Sequence, residues 1–203
     1  HSPGLAKRES ALTLSRMVHF TLFGIPVYIR PSFWVVLAIF GGALSISSVE
    51  DLIYPALFVI AGFIAILSHE MGHALVGRKL GGGQQTIVLE LFGGLTSSHG
   101  MQLTRGGRAL MILAGPMMTL LLGIISLWLT WNIVAPVMTS YNLNFWDLAI
   151  SPFTAALISP KLYILSCLIM IGEWWTILNL LPIYPLDGGQ LIAQYIRSPR
   201  KVF

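Results

Sequence analysis

Two histidines four residues apart, with a glutamate beside the first, form the run His69-Glu70-Met71-Gly72-His73. On a helix this spacing puts both imidazoles on one face, where they can hold one zinc ion. Glu70 adds a carboxylate that can take a proton from a water activated by that metal. Two histidines leave such a site incomplete, because catalytic zinc usually takes three protein ligands and keeps a fourth position for water. The remaining histidines, His1, His19 and His99, lie outside the apolar runs of the chain. The acidic candidates inside or beside the later apolar runs are Glu173 and Asp187.

The surroundings of this motif are those of a membrane protein. Of the 203 residues, 55% are hydrophobic and only 10% are charged. Soluble domains carry about 25% charged residues. Mean hydropathy is +0.78. Apolar runs cover roughly 33–49, 54–77, 109–131 and 162–181, and a helix needs about 20 residues to cross the hydrocarbon core. The reading is an all-α polytopic membrane protein with about four transmembrane helices. The first run is short and must use its flanks, where Arg30 can snorkel to the interface.

The net charge of +4 reads as topology rather than nucleic-acid binding, because the basic residues flank the apolar runs. Lys7, Arg8, Arg16 and Arg30 precede the first run, and Glu50 and Asp51 follow it. Arg78, Lys79, Arg105 and Arg108 lie between the second and third; Asp147 and Lys161 lie between the third and fourth. Arg197, Arg200 and Lys201 follow the fourth. The alternation puts both termini, the 78–108 loop and the active-site side in the cytoplasm. His69 and His73 then lie on the order of 10 Å inside the membrane from that face. Cys167, a lone thiol in an apolar run, excludes an intramolecular disulfide and a cysteine-rich metal site.

Two stretches read as strand. Residues 20–29 are rich in aromatic and β-branched types, as are Thr86 to Phe92, which run into Gly93-Gly94 and Leu95-Thr96-Ser97. The second predicts a strand, a Gly-Gly turn and a return strand in a small interfacial sheet. Its edge, at Val88 and Leu89, offers a place where an extended substrate could pair. Residues 134–160, with Pro136, Pro152 and Pro160, read as an outer-face loop with an interfacial piece. Residues 1–19 are taken as a cytoplasmic segment or a remnant of expression or processing, 20–197 as the core, and 198–203 as a cytoplasmic tail.

Asp187 has a better context for metal binding than Glu173. It closes the stretch Asn179-Leu180-Leu181-Pro182-Ile183-Tyr184-Pro185-Leu186-Asp187-Gly188-Gly189. Its prolines interrupt the fourth run, and its glycines allow close backbone approach. The topology returns Asp187 to the side of His69 and His73. A helix N-cap is the plain alternative for this aspartate.

Together, the His69–His73 run and the stretch from Asn179 to Gly189 resemble the site-2 protease family of intramembrane zinc metalloproteases. Phe23-Gly24-Ile25-Pro26-Val27 resembles that family's N-terminal strand motif. Leu91-Phe92-Gly93-Gly94-Leu95 resembles its re-entrant hairpin, and Leu113-Ala114-Gly115-Pro116-Met117 the start of its third core helix. These motifs follow the family's order over about residues 20–195.

The resemblance implies one Zn2+ per chain on His69, His73 and Asp187, with Glu70 as general base and proton shuttle. It implies that Asn179 binds substrate backbone or steadies the developing oxyanion, and that Gly93 and Gly94 belong to the substrate-facing hairpin. Asn179 has a plainer role as well, bonding backbone freed by Pro182. The implied partners are a membrane-spanning protein substrate, the lipid bilayer and a regulatory membrane protein; no nucleic acid is expected. Thr119 stands where many members carry Asn and can still bond between helices. The end of the chain soon after the aspartate motif fits a minimal core or a cut chain. Glu173, mid-span, is assigned to structure or substrate access, His19 and His99 to the interface, and the Trp128/Trp131 and Trp174/Trp175 pairs to the lipid belt or packing. The rivals are another membrane zinc hydrolase, such as a prenyl-protein protease, and a non-catalytic zinc-binding membrane protein.

Overall fold

The computed structural model of the protein describes residues 17–81, 83–91, 93–100, 102–141, 144, 146, 149 and 151–196, with backbone alone over 136–141. The termini assigned above to a leading segment and a tail fall largely outside these residues.

The stretch expected as one strand over 20–29 is a hairpin of β1 (Val18–Leu22) and β2 (Ile25–Ile29). It reverses through Phe23 and Gly24, both at positive φ (50° and 75°), the two-residue turn whose twist suits antiparallel strands. The second strand region forms β3 (Gln84–Glu90) and β4 (Gly93–His99). Gly93 and Gly94 are not the turn; they open β4, opposite Glu90 and Leu89. The sheet order is β1-β2-β3-β4, with β2 and β3 parallel. β3 is therefore an inner strand, and the expectation that Val88 and Leu89 offer a pairing edge does not hold. Both sides of β3 are taken, by β2 and β4; among the described residues, the unpaired outer edge near Gly93 belongs to β4.

The first apolar run does not form a long helix. Helix α1 (Pro31–Phe40) has 10 residues and ends at Gly41. Gly42 then takes the left-handed conformation (φ 88°) that starts a short 3-10 turn, Ala43–Ser45. Ten residues cover about 15 Å, half of a hydrocarbon core. α1 runs antiparallel along the next helix, α2 (Ile53–Gly81). Phe33 and Trp34 meet Phe63 ring against ring, Leu37 lies over Gly62, and Gly41 lies against Phe58.

Among the described residues, three segments are long and apolar enough to cross a membrane: Glu50–Gly81, Arg105–Ala135 and Pro160–Leu180. The second belongs to α3 (Arg105–Tyr141), which runs ten residues beyond the expected end at 131 and replaces the start of the expected 134–160 loop. A short helix, α4 (Pro152–Ala156), occupies part of the remainder. α5 (Pro160–Leu180) starts with Pro160 in its first turn, while the Ser159 side chain accepts from the Leu162 amide. It stops before Pro182, where a continuing helix would clash.

One face of the sheet is the core's floor. Ile25, Val27 and Ile29 of β2 and Ile87 and Leu89 of β3 are buried against Phe33, Leu37, Ile66, Leu67, Met71 and Ala74. The sheet thus grips α2 at the turns that carry His69, Glu70 and His73.

Candidate metal centre

His69, Glu70 and His73 are all buried, held between the sheet and α3. Gly72 makes the approach to α3 possible: a side chain there would run into the Ala114 backbone carbonyl. Gly115, one residue on, does the same for the ligands, because a Cβ at 115 would overlap His73 and press on His69. The Nδ1 of His73 lies 2.9 Å from the Met111 carbonyl oxygen. A carbonyl only accepts, so Nδ1 carries the proton and Nε2 presents its lone pair to the site.

Asp187 arrives from the other end of the chain. After Pro182 and Pro185 break the fifth helix, α6 (Asp187–Ile196) folds back on it. Side chains at 188 or 189 would strike the backbone of Leu180, Leu181, Ile183 and Tyr184, so glycine is what lets this turn close. Asp187 Oδ2 then lies 3.0 Å from His69 Nε2 and 3.3 Å from His73 Nε2, and the two nitrogens are 3.1 Å apart. Burial alone would raise the Asp187 carboxyl, but contact with the two imidazoles outweighs it and holds it below the ordinary carboxylate range.

These atoms suit zinc. Tetrahedral ligands at 2.0–2.1 Å are separated by about 3.3 Å, close to the three edges of this triangle. Two imidazole nitrogens and a carboxylate oxygen converging in a buried space repel one another unless a cation or proton lies among them. Among the described residues this is the group of histidine, cysteine and acidic side chains placed to share an ion. Glu173 is not part of it.

Glu70 is not a ligand in this arrangement; it is held beside the triad. Its Oε2 accepts a 2.7 Å hydrogen bond from the Thr96 hydroxyl on β4. Gly94 shares that face of β4, two residues earlier, and lets the strand lie directly on Glu70, since a Cβ there would overlap the glutamate side chain. At Gly93 (φ +119°) a Cβ would overlap the ring of Trp175, whose ring meets His69 edge-on at 6.4 Å. The hairpin glycines are therefore contact points between β4, α2 and α5.

Asn179 Nδ2 donates to the Trp175 carbonyl one turn back on α5, at 2.9 Å; the carbonyl that Pro182 frees is that of Leu178, which the Leu181 amide takes. Thr119 does bond between helices: its hydroxyl meets that of Thr176 at 2.7 Å, joining α3 to α5.

The model of peptidase family M50 matches residues 57–202, from the first turns of α2 past the end of α6. The chain belongs to peptidase family M50. Zinc metalloprotease MJ0392 of Methanocaldococcus jannaschii is 29% identical over 174 residues, which are 85% of this chain and 43% of that protein. The chain thus spans less than half the length of this relative. The solved site-2 protease of Methanocaldococcus jannaschii superposes with a TM-score of 0.58 at 26% identity, covering 87% of this chain and 69% of that one. The three apolar helices and the small sheet are in keeping with that fold. Membership of M50 implies zinc, and His69, His73 and Asp187 form a donor set that fits the ion.

Sequence reasoning did not find four residues of this M50 site. The Met111 carbonyl left no signal, because backbone groups have none. Thr96 and Gly115 lay inside motifs noted for other reasons. Trp175 was assigned to the lipid belt or packing, and only its contact with Gly93 and His69 shows which.

Proposed function

We propose that the protein is an intramembrane zinc metalloendopeptidase that hydrolyses a peptide bond in a transmembrane or membrane-proximal segment of a protein substrate. The observation that carries this reading is the buried Glu70, fixed by Thr96 beside three converging ligands. A structural zinc site needs ligands and no base, which speaks against a non-catalytic zinc protein. Asp187 as third ligand speaks against the prenyl-protein protease layout, in which a glutamate takes that place.

His69, His73 and Asp187 would hold the ion. When bound, zinc supplies Lewis acidity that polarises a carbonyl and lets water lose its proton near pH 7. Glu70 takes that proton and delivers it to the leaving amide nitrogen. Thr96 holds the Glu70 carboxylate in place for both transfers. A helical substrate must unwind to expose its peptide bond, and the outer edge of β4 offers an extended segment a row of backbone partners next to Glu70.

The basic residues support a cytoplasmic site. Arg78 and Lys79 end α2, Arg105 and Arg108 begin α3, and the sheet joins them. The pairing of β2 with β3 carries the start of the chain to the same side. α1 and the turns after it then make the first crossing beside α2.

The test uses full-length protein in liposomes with single-span substrates. Cleavage should stop with a chelator and fall about 10²- to 10⁴-fold in Glu70→Gln, while bound zinc persists in that variant. Undiminished cleavage by Glu70→Gln refutes the mechanism.

A further inference from the structure

Glu173 has no place in the metal site and no place in the lipid. It is exposed at mid-helix on α5, seven residues before the helix ends at Leu180. Among the described residues, the other charged types within the three spans are at their ends or, like Glu70, buried. A carboxyl group facing hydrocarbon is costly and calls for a partner.

Glu173 stands on the rim of a groove between α3 and α5, a cavity of about 90 Å³. Leu120, Gly123 and Ile124 form its α3 wall, Ile169 and Glu173 its α5 wall, and Thr119 its floor. The floor is closed, since the Thr119 hydroxyl is taken by Thr176 and Pro116. The trough is open: a Cβ at Gly123 would meet nothing within 4 Å. Small residues of this kind let another helix approach closely in a membrane. The groove is apolar except for one carboxyl, and both of its walls are membrane spans.

We propose that this groove docks a transmembrane helix of a separate protein that carries a lysine or arginine at mid-depth. Charge complementarity selects the occupant: an all-apolar helix would seal Glu173 away without a partner, whereas a basic side chain satisfies it. Thr119 lies one turn along α3 from Gly115, so the docked helix would rest one turn from the metal ligands. The proposal does not depend on the hydrolase reading, because its readout is helix binding.

The test measures energy transfer, in liposomes, between the full-length protein and single-span leucine-alanine helices with Lys, Leu or Glu at the centre. The wild type should bind the Lys helix about 3- to 30-fold more tightly than the Leu helix. Glu173→Leu should erase that difference, and Glu173→Lys should move the preference to the Glu helix, with zinc uptake unchanged in both. Gly123→Leu, whose Cβ enters the open trough, should weaken Lys-helix binding by a similar factor; it serves if the Glu173 variants fold poorly. Equal binding of Lys and Leu helices by the wild type overturns the proposal, as does a Glu173→Lys variant that still prefers the Lys helix. So does a Glu173-dependent self-association that no Lys helix displaces, which would make a second copy the occupant.

Discussion

Adding one methyl group to α3 should remove the metal from α2. In Gly115→Ala, the new Cβ would overlap His73 Nε2 and Cε1 and lie 2.8 Å from His69 Nε2. Non-bonded carbon contacts settle near 3.5–4.0 Å, so the imidazoles must retreat by roughly 1 Å. The triangle they form with Asp187 has edges of 3.0–3.3 Å, and metal–ligand distances tolerate only about 0.2 Å. Zinc affinity should therefore fall at least ~10- to 100-fold, the range seen when ligand orientation is disturbed. Stability should change less. Overpacking costs about 1–3 kcal/mol, and alanine in a helix returns about 1 kcal/mol relative to glycine. Competitive zinc titration and thermal unfolding of the metal-free protein in detergent separate the two quantities. Gly123→Ala on the same helix is the control, because its Cβ meets nothing; it should keep wild-type affinity. Wild-type zinc affinity in Gly115→Ala would refute the close-packing argument.

Thr96→Val removes the 2.7 Å bond to Glu70; a hydrogen bond to a charged group is worth about 1.5–3 kcal/mol, so turnover should drop roughly 10- to 150-fold at full zinc occupancy, and Thr96→Ser should restore it. Asp187→Ala should abolish zinc copurification measured by elemental analysis. Val88→Pro breaks an inner strand, so it should lower the melting temperature and disturb zinc binding together rather than cleavage alone; an unchanged melting temperature would return β3 to an edge. Stripping zinc with a chelator should destabilise the protein, and zinc restored to 100 times its Kd should stabilise it by about 2.7 kcal/mol over the stripped form.

The chemistry of the site was legible because it is written in side-chain types at fixed spacing. His69, Glu70 and His73 share one helical stretch, and the prolines and glycines around Asp187 announce a sharp local turn. Pairings distant in sequence were not legible. Nothing in Thr86–Phe92 says that β2 will lie beside it, so an inner strand read as an edge. The run 33–49 carries no charged residue, yet Gly41 and Gly42 end its helix after Phe40, and the absence of charge says nothing of that. The reversal before Gly93 was misplaced for a related reason: the glycines suggested a turn, whereas their bare Cα atoms are needed where the strand touches Trp175 and Glu70.

The parallel pairing of β2 with β3 joins segments far apart in the chain. Val27 meets Ile87 about sixty residues later, and closing a loop of that length costs on the order of 4 kcal/mol. The intervening chain contains α1 and all of α2, so this pairing ties the start of α1 to the end of α2. β4, whose Thr96 grips Glu70, rests on β3. The position of the base thus depends on a sheet whose first two strands come from the start of the chain. The amino-terminal hairpin, by taking the other side of β3, thereby braces the strand pair whose Thr96 holds Glu70.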